Sequence, residues 1–392
     1  MVMTNIPRIA IIGAGPGGLT AARILHRHGI PVTVYERDEA AATRDQGGTL
    51  DMQADSGQIA LAAAGLLDQF FALARPEGQD VRIADKTGTI LFEHRAEPDD
   101  RHNPEIDRGE LRRLLLDSLA PGTIRYGKGL DTVQPPGDGR HELRFRDGDT
   151  ATVDLLIGAD GAWSKVRPLV SPAQPEYLGV MFVETRISDV DAAHPALAAL
   201  VGNGSLSALS DSKGLIVQRN AHSVLRVYAA FRDNLDWVTA RGLSMNEPGR
   251  VRAELLSLFT DWAPELRALL SACDDAFAPR PIFALPVPHT WDSRPGVTLL
   301  GDAAHLMSPA TGQGANSAML DAADLAGAIV TAPDLRTAVA RYETLMLPRA
   351  ARNAADAAAA LVGTIAPDAP RGLLEQFAAI HGCGTDRTVV LQ

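Results

Sequence analysis

Apolar residues run unbroken through Ile9-Ala10-Ile11-Ile12, give way to Gly13-Ala14-Gly15-Pro16-Gly17-Gly18, and return in a second run, Val32-Thr33-Val34, that ends in the polar Glu36 and Arg37. Short apolar runs bounded by turn residues predict buried strands, so the first forty residues read as strand, helix, strand. That unit ends near Asp38, and residues 43–48 read as a loop ahead of Thr49-Leu50-Asp51. Helical spacing through Ile59, Leu61, Leu66 and Leu67, closed by Phe70 and Phe71, predicts a helix. A second, amphipathic one is expected from Arg108 to Leu116, capped by Asp107 and stopped by Pro121-Gly122. The stretch from Gln134 to Asp149, rich in Pro, Gly and Asp, predicts a hairpin, and residues 153–157 a buried strand. From Tyr177 to Pro286 the texture changes: apolar runs at 180–183, 214–217 and 224–228 recur at hairpin-like intervals. An amphipathic helix through Val251, Leu255, Leu256 and Phe259 follows, so this part reads as a second domain on an antiparallel sheet. The first pattern resumes at Val297-Thr298-Leu299-Leu300, alanine-rich helices fill about 316–362, and the tail from Pro367 is expected to pack as a short last helix.

The N-terminal unit carries chemistry as well as pattern. Glycines let the backbone turn tightly and approach a pyrophosphate, and the helix that opens there aims its N–H groups and positive dipole end at that charge. Glu36 follows Gly13 by 23 residues, about where the second strand delivers a carboxylate to a ribose hydroxyl. Strand, glycines, helix, strand and acid in order point to an adenine dinucleotide. Arg108, Arg112 and Arg113, beside a leucine stripe, read on their own as solvated charge.

Composition narrows the partners. With 37 basic against 48 acidic side chains the net charge is −11, which argues against nucleic acid or an anionic membrane and for a small-molecule substrate. Two cysteines, Cys273 and Cys383, are too few for a disulfide framework or a zinc site and fit a reducing compartment. No signal peptide or transmembrane run is legible, so a cytoplasmic protein is expected; a monomer is expected as well. At 392 residues, two domains or one large domain with an inserted lobe are expected.

Two further turns follow buried strands: Gly158-Ala159-Asp160-Gly161-Ala162-Trp163-Ser164-Lys165-Val166-Arg167, and Gly301-Asp302-Ala303-Ala304-His305-Leu306-Met307-Ser308-Pro309 with Gly312-Gln313-Gly314-Ala315-Asn316 beyond it. Both place an acid beside a glycine at a strand's carboxyl end, where open α/β sheets bind ligands. One such turn is explained by turn chemistry; three in this order are not. Together, over about residues 9–346, the motifs resemble the FAD-dependent aromatic hydroxylases of the para-hydroxybenzoate hydroxylase type. Residues 34–38, 47–51, 103–108 and 301–307 are similar to segments of that family's tetracycline-inactivating branch.

The resemblance implies an α/β fold: a Rossmann-like FAD-binding domain (1–75, 100–175 and 287–330), a substrate-binding domain on an antiparallel sheet (76–99 and 176–286), and C-terminal helices (331–392). It implies that Gly13, Gly15 and Gly18 approach the FAD pyrophosphate, and that Glu36 holds the adenosine ribose with Arg37 beside the adenine. Arg108 and Arg112 would reach the phosphates or ribityl chain, overturning the solvated-charge reading, and Asp302 would bind the ribityl hydroxyls. Asp51 and Asn316 join the same cofactor set, and the Asp160-Gly161 turn serves both FAD and a transient NADPH or NADH. Gly312 and Gly314 would bring the flavin to a helix N-terminus, which stabilises an anion. His305 reads as a structural histidine completing its turn.

The implied reaction uses NAD(P)H and dioxygen to hydroxylate an aromatic or polycyclic small molecule through a C4a-hydroperoxyflavin. No residue is assigned as acid or base. At the two positions that contact the drug in the tetracycline-inactivating branch, alignment places Glu184 and Ser205 as substrate contacts. A carboxylate and a hydroxyl there predict weak handling of an anionic enolate. Flavin halogenases are disfavoured because Trp163, Trp237, Trp262 and Trp291 form no tryptophan pair; a non-oxygenating FAD protein or an aromatic-ligand binder is the alternative.

Overall fold

A computed structural model of the chain describes residues 7–40, 47–134 and 139–381. Residues 43–46 of the predicted loop, 135–138 of the predicted hairpin, and Cys383 lie outside them. A five-stranded sheet runs, edge to edge, Val297–Leu299, Leu155–Gly158, Ile9–Ile12, Val32–Tyr35 and Ile124–Arg125, all neighbours parallel. Its central strand is buried on both faces, which is why it reads as a continuous apolar run. Helices Pro16–Arg27 and Gln313–Thr331 pack against each other, and Gly57–Ala64 packs on both.

The second sheet has seven strands in the order Ala278–Ala284, Glu176–Ile187, Val224–Arg232, Lys213–Asn220, Ser205–Ser210, Val81–Ala84 and Ile90–His94. It is antiparallel except where Ser205–Ser210 meets Val81–Ala84. The alternation of its strands separates two faces. Val183, Val217, Leu225, Val227 and Ala229 point to one side, where Val251, Leu255 and Phe259 join the same apolar core. The other side carries Phe182, Glu184, Tyr228 and Ile216. Three of the longest helices, Gln313–Thr331, Leu335–Thr364 and Arg371–His381, close the chain. No helix among the described residues is long and apolar enough to cross a membrane.

Several local expectations change. The single helix expected through 59–71 is two, Gly57–Ala64 and Leu67–Leu73, because Gly65 takes a left-handed conformation (φ 68°) that ends the first; Ile59, expected on the apolar face, is exposed. Helix Arg108–Asp117 begins after Asp107, but that carboxylate does not cap it: it accepts from Ala221 N and pairs with Arg75. The expected hairpin belongs to a three-stranded meander, Leu130–Gln134, His141–Phe145 and Thr150–Val153. The run at 153–157 splits at Asp154, whose carboxylate accepts from Arg8 N, so one half serves the meander and the other the parallel sheet.

Candidate active site

The fingerprint glycines divide by what surrounds them. Gly13, at φ 108°, lies so close to the strand Leu155–Gly158 that a Cβ would collide with the Ala159 carbonyl, and a Cβ on Gly18 would collide with the Gly13 carbonyl. Those two are fixed by packing. Gly15 faces open space, with no atom within 4 Å of a built Cβ. It precedes helix Pro16–Arg27, which has no side-chain cap. The N–H groups of Gly17 and Gly18, in the first turn, have no acceptor within the helix and are free to bind an anion. Glu36, at the end of the second strand and 5% exposed, accepts from Ala14 N at 2.7 Å and Asp38 N at 3.0 Å, so it braces the glycine turn from behind. Arg37 is exposed beside it.

The two acid-glycine turns meet at a residue that pattern reading passed over. Arg167 is 3% exposed and donates to Ala303 O at 2.8 Å, Ala162 O at 2.7 Å and Asp302 O at 3.2 Å, tying one turn to the other. Its place at the end of the quoted motif was the available signal. Asp160 accepts from Ser164 Oγ and Lys165 N, both at 2.6 Å, and so shapes its own turn; enclosure raises its pKa. The Asp302 side chain is exposed, at the start of the short helix Asp302–His305, and desolvation by the surrounding protein raises its pKa. His305 is 4% exposed and hydrogen-bonded through Nε2 to Asp321 Oδ2 at 2.5 Å. Asp321 also accepts from Gly301 N and Arg349, so the histidine belongs to a buried brace under the turn.

Helix Gln313–Thr331 starts at Gly312, itself left-handed (φ 67°) and without a side-chain cap. A Cβ on Gly312 would lie 2.8 Å from Asp51 Oδ1, whereas Gly314 faces open space. Asn316 differs from the direct cofactor contact the resemblance implies. It is fully buried and its amide is used up within the protein, donating to Asp51 O at 2.7 Å and accepting from Gln53 N and Gly57 N. It positions the Asp51 segment against the helix start. Burial pushes Asp51 up to about 6 against the pull of Gln53 and Arg108. Glu105, directly opposite on the paired strand, is pushed up to about 8 by burial and then by Asp51. Arg108 is exposed; its backbone N–H donates to Gly48 O at 3.1 Å, while its side chain makes no hydrogen bond or ion pair among the described residues, yet its charge reaches Asp51, Asp302 and Tyr228. Arg112 is 7% exposed, beside Tyr126. It lines a cavity of about 820 Å³ with Gly47, Tyr126 and His222 that none of Gly13, Gly15, Asp160 or Asp302 borders.

Facing these groups is the second sheet. Glu184, Tyr228, Ile216 and Ser207 stand in one cross-strand row, and Arg186, Arg226, Gln218 and Ser205 in the next. Glu184 and Ser205 are three strands and one row apart, about 16 Å at normal strand spacing and rise. Glu184 does not stand free, as the sequence reading assumed: its side chain is 8% exposed and held by Arg226 Nη1 at 3.2 Å and Arg280 Nε at 2.9 Å. Its charge is therefore matched before any ligand arrives. Gly48 presses on the same face, where a Cβ would lie 2.6 Å from Gln218 Oε1 and 2.8 Å from Tyr228 Oη. Phe182, Ile216 and Ala310 supply an apolar surface beside it.

The arrangement offers two uncapped helix starts, carboxylates along a cleft floor and a mixed apolar and cationic wall, a set of groups that fits an extended phosphate-bearing cofactor with a planar ring. Comparison with known proteins agrees. The family model described as an FAD binding domain matches residues 7–226 and 290–354. Monooxygenase asqM of Emericella nidulans is 32% identical over 369 residues, covering 81% of this chain and 83% of that protein. The crystal structure of a Klebsiella pneumoniae HpxO variant complexed with FAD superposes with a TM-score of 0.79 at 25% identity, covering 95% of this chain and 94% of that one. Tetracycline destructase Tet(55) shares the fold, with a TM-score of 0.75 at 24% identity over 97% of this chain and 96% of its own. The chain belongs to the FAD-binding-domain family and is an FAD-dependent monooxygenase of the aromatic hydroxylase type.

Proposed function

We propose that FAD lies along the cleft with its pyrophosphate at the Gly15 helix start, its ribose at Glu36, and Arg37 and Arg112 toward the adenosine end. Arg108 and Asp302 take the phosphate and ribityl region, Asp160 flanks it, and the flavin ring rests by Gly312 and Gly314 with Asp51 beside it. The observation that carries this reading is the split among the glycines: Gly13 and Gly18 are filled in by protein, while Gly15 and Gly314 are left open at two uncapped helix starts. The bound flavin supplies the redox chemistry, in which NAD(P)H, a proton and dioxygen convert substrate to hydroxylated product, NAD(P)⁺ and water.

The protein's share is to bind, orient and exclude water. Arg167 and Asn316 fix the cleft floor, and the helix start at Gly312 provides N–H donors for negative charge on the ring. The Asp160-Gly161 turn, flanked by Trp163 at 60% exposure and by exposed Lys165, is where a nicotinamide dinucleotide docks transiently. The substrate is an aromatic or polycyclic molecule held between Phe182, Ile216 and Tyr228 and the Gly312 loop, tetracyclines included among the compounds to try. We further propose a cytoplasmic monomer, from the acidic net charge and scarcity of cysteine.

The purified protein is expected to be yellow, with one non-covalent FAD per chain. It should consume NAD(P)H faster when an aromatic substrate and oxygen are both present, with product heavier by one oxygen atom. A colourless protein that takes up no added FAD overturns the reading.

A further inference from the structure

The two-stranded ribbon of Thr49–Asp51 and Glu105–Asp107 brings together two carboxyl groups, Asp51 and Glu105, of which the cofactor reading uses only the first. They are directly opposed in its register. The backbone N–H and C=O of Glu105 both bond to Arg75, on the far side, while Asp51 O accepts from Asn316 and Met52 N donates to Pro104 O. The opposed residues therefore share no backbone bond. In such a pair the Cα atoms lie about 4.5 Å apart and the two side chains stand close together on one face. Glu105 has no room to withdraw, because a Cβ on Gly78 would lie 2.6 Å from its own Cβ. Asp51 is held forward: Gln53 Nε2 donates to its Oδ2 at 2.8 Å, and its Oδ1 reaches the start of helix Gln313–Thr331, 2.8 Å from a Cβ built on Gly312.

Counting hydrogens places a proton on Glu105. Thr49 Oγ1 lies 2.5 Å from Glu105 Oε2, 3.1 Å from Ile106 O and 3.3 Å from Arg75 Nη2. A hydroxyl has one hydrogen, a carbonyl only accepts and a guanidinium only donates. With Glu105 protonated, the acid donates to Thr49, Thr49 donates to Ile106 O and Arg75 donates to Thr49, so all three contacts are satisfied at once. An ionised Glu105 would take the Thr49 hydrogen and leave the contact with Ile106 O without one. The charges around the pair agree: they are Arg75, which bonds Asp107 at 3.0 Å, and Arg108, so three carboxyl groups face two guanidinium groups. Adjoining carboxylates do not both ionise cheaply, and the proton of such a pair belongs to both. The bond from Gln53 favours the ionised form of Asp51, so Glu105, pushed up to about 8, is the one that keeps the proton at rest.

Building on the flavin monooxygenase reading, we infer that Asp51 and Glu105 hold one proton between them and feed it into the cleft at the Gly312 helix start. NAD(P)H, one proton, dioxygen and substrate C–H give NAD(P)⁺, C–OH and water. That proton passes from Glu105 to Asp51 and from Asp51 to the oxygen atom that leaves as water, and solvent refills Glu105. Glu105 acts through Asp51 and is a positioning residue. The first test is infrared titration of the FAD-loaded protein. The wild type should show a carboxylic acid C=O band that persists at neutral pH, fades near pH 8 and is missing from Glu105→Gln. Asp51→Asn should lower the pH at which the band fades by about one unit or more, because the neighbouring charge is gone. The second test mixes dithionite-reduced protein with dioxygen, which returns it to the oxidised form with uptake of a proton and release of hydrogen peroxide. The rate should fall threefold or more as pH rises through about 8 in the wild type, and stay at the lower level without that break in Glu105→Gln. Glutamine has the shape of the protonated acid, so the variant is expected to fold, which its melting temperature checks; if it does not, the Asp51→Asn titration decides. The inference is overturned if no acid band survives at neutral pH, if the band remains in Glu105→Gln, if Asp51→Asn leaves its titration in place, or if Glu105→Gln keeps the wild type's break. Flavin content, measured on the same samples, reports separately on the monooxygenase reading, and the infrared titration repeated without FAD does not depend on it.

Discussion

Glu36 shows how a residue's role can be doubled by its surroundings. Its two oxygens each accept one backbone N–H, from Ala14 and Asp38, and each keeps a lone pair for a further donor such as a ribose hydroxyl. Replacing it with alanine removes both functions, so Glu36→Ala should weaken FAD binding by about 1–3 kcal/mol, the cost of losing a charged hydrogen-bond partner. Fluorescence titration of the apoprotein with FAD measures this directly, and unchanged affinity would remove Glu36 from the ribose. Glu184 teaches the converse. From sequence it was an isolated negative charge in a pocket, and the expected repulsion of enolates followed from that isolation. Two arginines from neighbouring strands cancel it, and no linear pattern announces a pairing that spans 42 and 96 residues of sequence.

At the scale of elements, the glycine-rich turn combines two demands that mutation can separate. Gly13 sits at φ 108° against the Ala159 carbonyl, so Gly13→Ala meets both backbone strain, on the order of 1–3 kcal/mol, and a collision with main chain that cannot move aside. Gly15 has an ordinary φ of −79° and open space, so Gly15→Ala should leave the apoprotein's melting temperature nearly unchanged. Its added methyl projects where the pyrophosphate approaches, and FAD affinity should fall by tenfold or more. Thermal melts of the two apoproteins beside FAD titrations would discriminate: a Gly15→Ala protein that binds FAD normally, or a Gly13→Ala protein as stable as the parent, contradicts this division of labour. The helix after Asp107 was also legible from its leucine stripe, yet its cap was not. Serving a distant backbone donor, Ala221 N, and Arg75 was open to Asp107 only once the second sheet had been brought against it.

For the molecule as a whole, the brace of His305, Asp321 and Arg349 joins the turn after the last parallel strand to the two long C-terminal helices. Burial alone would lower the His305 pKa, but Asp321 overcomes it and the folded value lies above the ordinary 6.5. Burial opposes ionisation of Asp321 too, and His305 with Arg349 brings its folded value below 3.8. The histidine's contribution to stability is therefore complete below about pH 6.5 and is lost as pH rises through its raised folded value. The aspartate's contribution is present above about pH 3.8 and is lost as pH falls through its lowered one. The difference in melting temperature between the parent and Asp321→Asn should accordingly be largest from about pH 4 to 6.5 and shrink, without vanishing because Arg349 stays charged, toward alkaline pH. A difference that grows between pH 6.5 and 9 would show that the pair is neutral in the folded protein.

What the sequence determined alone is what depends on neighbours along the chain: the fingerprint turn, the strand periods, the change from a parallel to an antiparallel texture near residue 177, and the three acid or glycine turns that together specify an FAD protein. Those signals are local because backbone conformation and amphipathic period are local. The tertiary structure decided which charges are matched and which remain free. Among the described residues the Arg108 side chain has no hydrogen-bond or ion-pair partner and Arg280 is held through Nε alone, whereas Glu184, Asn316 and His305 are consumed by partners. Burial and pairing are set by segments from 16 to 265 residues apart in the sequence packing together, and a side chain's chemistry follows from the solvent and partners it has there.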